Sequence, residues 1–202
     1  MTFIETRPLQ DADGEVLELY QRYQTALGYV PNYAKVFSLR PAVNAAWNSL
    51  LGSIRGNMET RRYELVTVAA ASALRSSYCT LAHGKILSEQ FLPPEQVTAI
   101  AQDQAHAHLA PVDRALVSFA RKIALDASSI TAGDVQNLRD HGLTDTEIFD
   151  VAAAASARCF FSKLLDAMGA EPDSVFSHLA QEVRPHLTVG RPISQEAVER
   201  LP

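Results

Sequence analysis

The sequence predicts an all-α protein, and three observations carry that prediction. Apolar residues recur at helical spacing in segment after segment, strand-like alternation is absent, and alanine is abundant. From Asp13 to Leu27, the residues Val16, Leu17, Leu19, Tyr20, Tyr23 and Leu27 share this spacing, and Gly28 supplies a C-terminal stop. The stretch GYVPNYAKVFSLRP reads as a connector with room for one short helical turn. Pro41 suits the first turn of a second helix, about 41–55, which Gly56-Asn57 ends. A third helix runs from about Glu59 to Arg75, and a fourth from near Ser77 to near Gln90. Leu92-Pro93-Pro94-Glu95 opens a fifth, after which QDQAHAHLAP is polar and loop-like. Pro111-Val112-Asp113 starts a sixth that ends near Asp126. Thr131 with Asp134, and Thr144 with Glu147, are spaced as capping pairs. They open a seventh helix and a long eighth that stops at Gly169. Residues 1–185 therefore read as a single all-helical domain. Residues 186–202 read as a tail of mixed character, either loose or docked on a neighbouring subunit.

Composition narrows the function classes. The 202 residues are 47% hydrophobic and 20% charged, an ordinary globular balance long enough for one real core. The net charge is -5, and Lys and Arg are scattered rather than clustered. Neither nucleic acid nor an anionic membrane is favoured as a partner. No stretch approaches the ~20 apolar residues that a membrane helix needs. The N-terminal residues show no basic region followed by an apolar run, so no secretory signal is expected. The two cysteines, Cys79 and Cys159, are far apart and are expected as reduced thiols in a cytoplasmic protein.

An internal repeat appears at an offset of 51 residues, without gaps, covering about 62–103 and 113–154. RYELVTVAAASAL lies over DRALVSFARKIAL, and PPEQVTAIA over TDTEIFDVA. Unbroken register across several helices favours duplication over chance similarity of amphipathic segments. The second copy lacks the polar and reactive residues of the first. Glu64 becomes Ala115, Ser76 becomes Ala127, Cys79 becomes Ile130 and His83 becomes Asp134. The first copy is thereby expected to carry function and the second to act as scaffold.

The chemistry concentrates in RRYELVTVAAASALRSSYCTLAHGKILSEQ. Cys79 and His83 are four residues apart, on one helical face. A nearby imidazole can take the thiol proton or stabilise the thiolate, the reactive form of cysteine. Ser76-Ser77-Tyr78 offers a helix N-cap, which would place Cys79 in a first turn, where free N–H groups and the helix dipole favour negative charge. Glu64, in an otherwise apolar run, is a candidate to orient His83 and hold a proton. Along one straight helix Glu64 and His83 would stand about 28 Å apart. The relay therefore requires the chain to reverse near 75–78, as a helical hairpin, and even then a water bridge is an option. Cys159 reads as a core residue. His106 and His108, in a polar loop with no third ligand, make a weak case for metal, so no metal or other cofactor is expected.

These residues resemble a family. Glu64, Ser76, Cys79 and His83 match the motif of alkylhydroperoxidase-type proteins, in which a glutamate precedes a Cys-x-x-Cys-x-x-x-His run by the same spacing. LGYVPNYAKVFSLRPAVNAAWNSLLG and HGLTDTEIFDVAAAASARCFFSKLLDAMGAEPD resemble the N- and C-terminal portions of carboxymuconolactone decarboxylase-like, peroxidase-related enzymes. The resemblance spans about Leu17 to Pro172. It implies an AhpD-like helical fold, here with an internal duplication of helical hairpins, that assembles as a homo-oligomer. It also implies that Cys79 attacks peroxide, with His83 and Glu64 handling protons and Ser76 at the resolving position without its thiol. The expected activity is a thiol-dependent peroxidase-like oxidoreductase, acting on a small-molecule peroxide and regenerated by an external thiol reductant or by Cys159. Two alternatives stand beside it: a carboxymuconolactone decarboxylase-like non-redox enzyme acting on a small organic acid through His83 and Glu64, and a non-catalytic oligomeric binding or redox-sensing protein.

Overall fold

The computed structural model describes residues 2–104 and 109–201. His106 and His108 lie outside the described residues. Among the described residues ten α-helices follow one another: α1 (Gly14–Leu27), α2 (Asn32–Phe37), α3 (Pro41–Arg55), α4 (Thr60–Ala73), α5 (Ser77–Gln90), α6 (Pro94–Ala101), α7 (Pro111–Asp126), α8 (Ala132–Asp140), α9 (Asp145–Ala167) and α10 (Arg184–Leu187). No strand forms among the described residues; one isolated antiparallel bridge joins Val30 to Glu199. No helix there is long and apolar enough to cross a membrane.

Local sequence sets the helix ends. Pro41, Pro94 and Pro111 occupy first helical positions, where a missing N–H removes nothing the helix would use. Gly28 closes α1 in the left-handed conformation, at φ 81°. Thr131 and Thr144 both form complete capping boxes, with Asp134 and Glu147 returning the hydrogen bond. The connector 28–40 contains α2, six residues long.

Helix α4 is the axis of the molecule. Every residue from Tyr63 to Ser72 is buried, and α5, α6, α7 and α9 pack around it. Its sequence, YELVTVAAAS, is small or apolar on all sides except at Glu64, which is the pattern of a fully enclosed helix. The alanines at 69–71 let neighbouring backbones approach closely. The helices keep the register of the sequence repeat. Helix α4 begins at Thr60 and α7 at Pro111, α6 at Pro94 and α9 at Asp145, both pairs at the 51-residue offset. Within each copy the three helices contact one another, and α4 of the first copy packs on α7 of the second.

Between α4 and α5 the chain reverses over Leu74–Ser76. Arg75 takes a left-handed conformation, at φ 57°. The Ser76 N–H bonds to the Ala71 carbonyl and the Arg75 N–H to the Ser72 carbonyl, the two bonds of a Schellman motif. A non-glycine residue in this conformation is strained by roughly 1 kcal/mol.

The C-terminal residues differ from expectation. Instead of lying loose, residues 187–201 run back over their own chain. Leu187 is fully buried against Gly84 of α5, so closely that a Cβ on Gly84 would stand 2.7 Å from its Cδ1. The Gly190 N–H donates to Ser77 Oγ at 2.7 Å, and Arg75 Nε donates to the Val189 carbonyl. A Cβ on Gly190 would overlap the Arg75 carbonyl oxygen. Further on, the Leu201 N–H donates to Gln24 Oε1 and Lys35 pairs with Glu199. The tail thus backs the α4–α5 turn because glycine at 190 allows main chain to lie on main chain.

Candidate active site

The α4–α5 hairpin brings together the residues that the sequence separates. His83 Nδ1 lies 2.6 Å from Glu64 Oε2, a direct contact with no water between them. Glu64 is completely buried, while the His83 side chain is 16% exposed. Burial, first, and the nearby positive charge of Arg158, second, push the His83 pKa below the ordinary histidine value, and Glu64 offsets this only in part. His83 is therefore neutral near pH 7. With Nδ1–H donating to the carboxylate, Nε2 keeps its lone pair and is the ring atom able to accept a proton. The second Glu64 oxygen, Oε1, is buried with no hydrogen-bond partner.

Cys79 is the third residue of α5 and 1% exposed. Ser76 occupies the N-cap position but makes no capping hydrogen bond, so the free N–H groups of the first turn are left to the dipole effect alone. No hydrogen bond joins Cys79 to His83. The partner of Sγ is a residue that the sequence reading passed over: Arg158 Nη1 donates to Cys79 Sγ at 3.4 Å. Arg158 Nη2 donates to the Tyr63 hydroxyl at 3.2 Å, and its Nε is buried without a partner. The guanidinium also lies over the rings of Trp47 and Phe161, at 5.8 and 5.5 Å from their centroids. Arg55 stands over the other aromatic wall, 5.1 Å from the Tyr63 centroid. Among the described residues no group of three His, Cys, Asp or Glu side chains is placed to hold a metal.

Ser76 and Cys159 fall differently. Ser76 Oγ is buried and has no hydrogen bond of ordinary length, although it faces the Asp166 carboxyl, which burial raises above the usual range and Ser76 draws back. Cys159 follows Arg158 directly, so its side chain leaves α9 about 100° away from the one that reaches Cys79. Both thiols are free, and burial pushes the Cys159 thiol above its ordinary pKa.

A sequence profile of the carboxymuconolactone decarboxylase family matches residues 41–122, which hold Glu64, Cys79 and His83. This match, over 82 of the 202 residues, supports an AhpD-like/carboxymuconolactone decarboxylase assignment. Solved structures bear the same fold. An uncharacterized peroxidase-related protein from Ralstonia eutropha JMP134, an alkylhydroperoxidase AhpD core, is 24% identical with a TM-score of 0.77, covering 87% of this chain and 94% of that one. A peroxidase-related protein from Silicibacter sp. TM1040 is 22% identical with a TM-score of 0.76, covering 88% and 94%. A debrominase in complex with 2,3,4-tribromopyrrole is 16% identical with a TM-score of 0.69, covering 93% and 96%. No curated protein matches by sequence.

One sequence signal points to Arg158: Arg158, Ser162 and Asp166 recur every four residues along α9. They form one polar line, at whose two ends Arg158 meets Cys79 and Asp166 meets Ser76.

Proposed function

We propose that this chain is a thiol-dependent peroxidase-like oxidoreductase that works through the single cysteine Cys79, with His83 and Glu64 as its proton relay. The observation that carries the reading is the buried Glu64–His83 contact at 2.6 Å, one helical turn beyond a buried cysteine on the same helix. In the first step the Cys79 thiolate attacks the terminal oxygen of a hydroperoxide. The S–O bond forms as the O–O bond breaks, and the departing alkoxide takes the proton that the thiol gave up to His83 Nε2, leaving as an alcohol. Glu64 holds the imidazolium that exists between those two transfers. Cys79 is then a sulfenic acid. An external thiol attacks its sulfur and releases water, and a second external thiol displaces Cys79 from the mixed disulfide, so that two thiols end as one disulfide. Ser76 has no thiol to replace either of them. With no hydrogen bond between Cys79 and His83, the proposed proton transfer runs through the bound peroxide or a water.

The test is mass spectrometry after limited peroxide, with a sulfenic-acid trap. Trap adduct on Cys79 but not on Cys159, together with loss of thiol-dependent peroxide turnover in Cys79→Ser, is the expected result. An inert Cys79, or turnover that survives Cys79→Ser, removes the proposal. The non-redox alternative has one observation of its own: the Glu64–His83 pair is complete without the thiol. It predicts that chemistry on small organic acids survives Cys79→Ser and is lost in His83→Ala.

A further inference from the structure

We infer that Arg158 is a catalytic residue of the proposed thiol chemistry, the cation that balances negative charge on Cys79 sulfur. The inference rests on the peroxidase-like reading of Cys79 and adds a residue to it.

The argument begins with an unpaired charge. Arg158 is 3% exposed, yet among the described residues no carboxylate forms an ion pair with it. A buried guanidinium is ordinarily paired, because leaving a charge uncompensated in a low-dielectric interior costs several kcal/mol. Its hydrogen-bond partners are a cysteine sulfur and a tyrosine hydroxyl, the two neutral side chains here that can become anions. Its faces rest on Trp47 and Phe161, which fix the plane of the fork. Its two hydrogen bonds, to Cys79 Sγ and the Tyr63 hydroxyl, hold Nη1 against the sulfur.

The groups around Cys79 can be counted. Helix α9 contributes Arg158. Helix α4 contributes Tyr63, which Arg158 bonds, and Glu64, which faces His83. Helix α3 contributes Arg55, over Tyr63, and α5 itself contributes His83. Moving the thiol proton to His83 places the new anion beside Arg158 and the new cation beside Glu64. Each newly formed charge then has its own opposite partner already in position. Arg158 has a second use in the cycle. The sulfenic acid formed on Cys79 can ionise, and the same Nη1–H then donates to the sulfenate oxygen.

The test compares Arg158→Lys and Arg158→Met with wild type, following alkylation of Cys79 by iodoacetamide across pH, with Cys159 resolved by mass. Loss of the charge in Arg158→Met is expected to slow alkylation at pH 7 by tenfold or more and to move the pH profile upward. Arg158→Lys is expected to recover most of the rate, because it restores charge without the fork. Equal rates and unmoved profiles in both variants would overturn the inference, and so would equal slowing in both without a shift of profile, the mark of a packing role. A second measurement needs no variant. In the wild type, anionic iodoacetate should gain on neutral iodoacetamide at Cys79, relative to a free cysteine peptide, by severalfold; a ratio equal to the peptide's removes the cation from the argument. If instead Cys79 gives no sulfenic-acid adduct with peroxide, the peroxidase reading itself fails, whereas a reactive Cys79 indifferent to Arg158 defeats only this inference.

Discussion

Replacing Glu64 by glutamine separates catalysis from stability at the centre of this molecule. Glutamine is nearly isosteric and keeps an oxygen to accept the His83 Nδ1–H, so the 2.6 Å contact survives as a neutral hydrogen bond. What disappears is the charge that holds the imidazolium. At roughly 4 Å between charge centres and an effective dielectric of about 20, that attraction is about 4 kcal/mol. The remaining neutral hydrogen bond returns about 1 kcal/mol. The net loss of about 3 kcal/mol corresponds to roughly a hundredfold slower proton-coupled step. Stability should change little: Glu64 is wholly buried and its Oε1 already lacks a partner, so the glutamine amide nitrogen takes over one unpaired position while the desolvation penalty of the carboxylate is relieved. The assay is steady-state peroxide consumption with a dithiol reductant, beside thermal denaturation of the same samples. The reasoning is refuted if Glu64→Gln keeps more than half of wild-type activity, or if activity and melting temperature fall together.

Other expectations are more local. Gly190→Ala puts a Cβ into the Arg75 carbonyl oxygen and should lift the tail from the α4–α5 turn, at a cost of about 1–3 kcal/mol, seen as faster amide exchange in residues 187–201 and at Ser77. Because burial and Arg158 lower the His83 pKa, the folded chain binds fewer protons than the unfolded chain near and below pH 6.5. The stability contribution of neutral His83 is therefore full above about pH 6.5 and lost as pH falls below it; melting temperatures across this range should drop less in His83→Gln. Asp173 works oppositely at lower pH. Burial raises its carboxyl despite donation from Tyr78, the Asn32 N–H and Tyr29, so it takes up a proton more readily when folded. Thr144→Ala removes the cap of α9 and should cost about 1 kcal/mol in denaturant titration while leaving Cys79 alkylation unchanged.

The helices were legible because their ends are written in local chemistry. Pro41, Pro94 and Pro111 mark starts, Gly28 a stop, and the two Thr-x-x-acid pairs form boxes that need no tertiary contact to be recognised. The Glu64–His83 meeting was legible through a length argument: about 28 Å of straight helix made a reversal near residue 75 a requirement. Two things were not. Arg158 looked like one charge in an alanine-rich helix, and only packing decides whether such a charge turns to water or to the interior. The tail has no periodicity to read, and its docking depends on Gly190 meeting main chain that lies more than a hundred residues earlier.

That long-range closure bears on how the molecule assembles. Helices α4 and α5 can pair early, since their contacts are near in sequence. The support behind their turn comes only when Leu187 and Gly190 return across more than a hundred residues, a search whose entropy must be met before any contact rewards it. Residues 187–190 are therefore the last brace to be fitted. A chain halted in synthesis before Leu187 carries the α4–α5 hairpin without that brace.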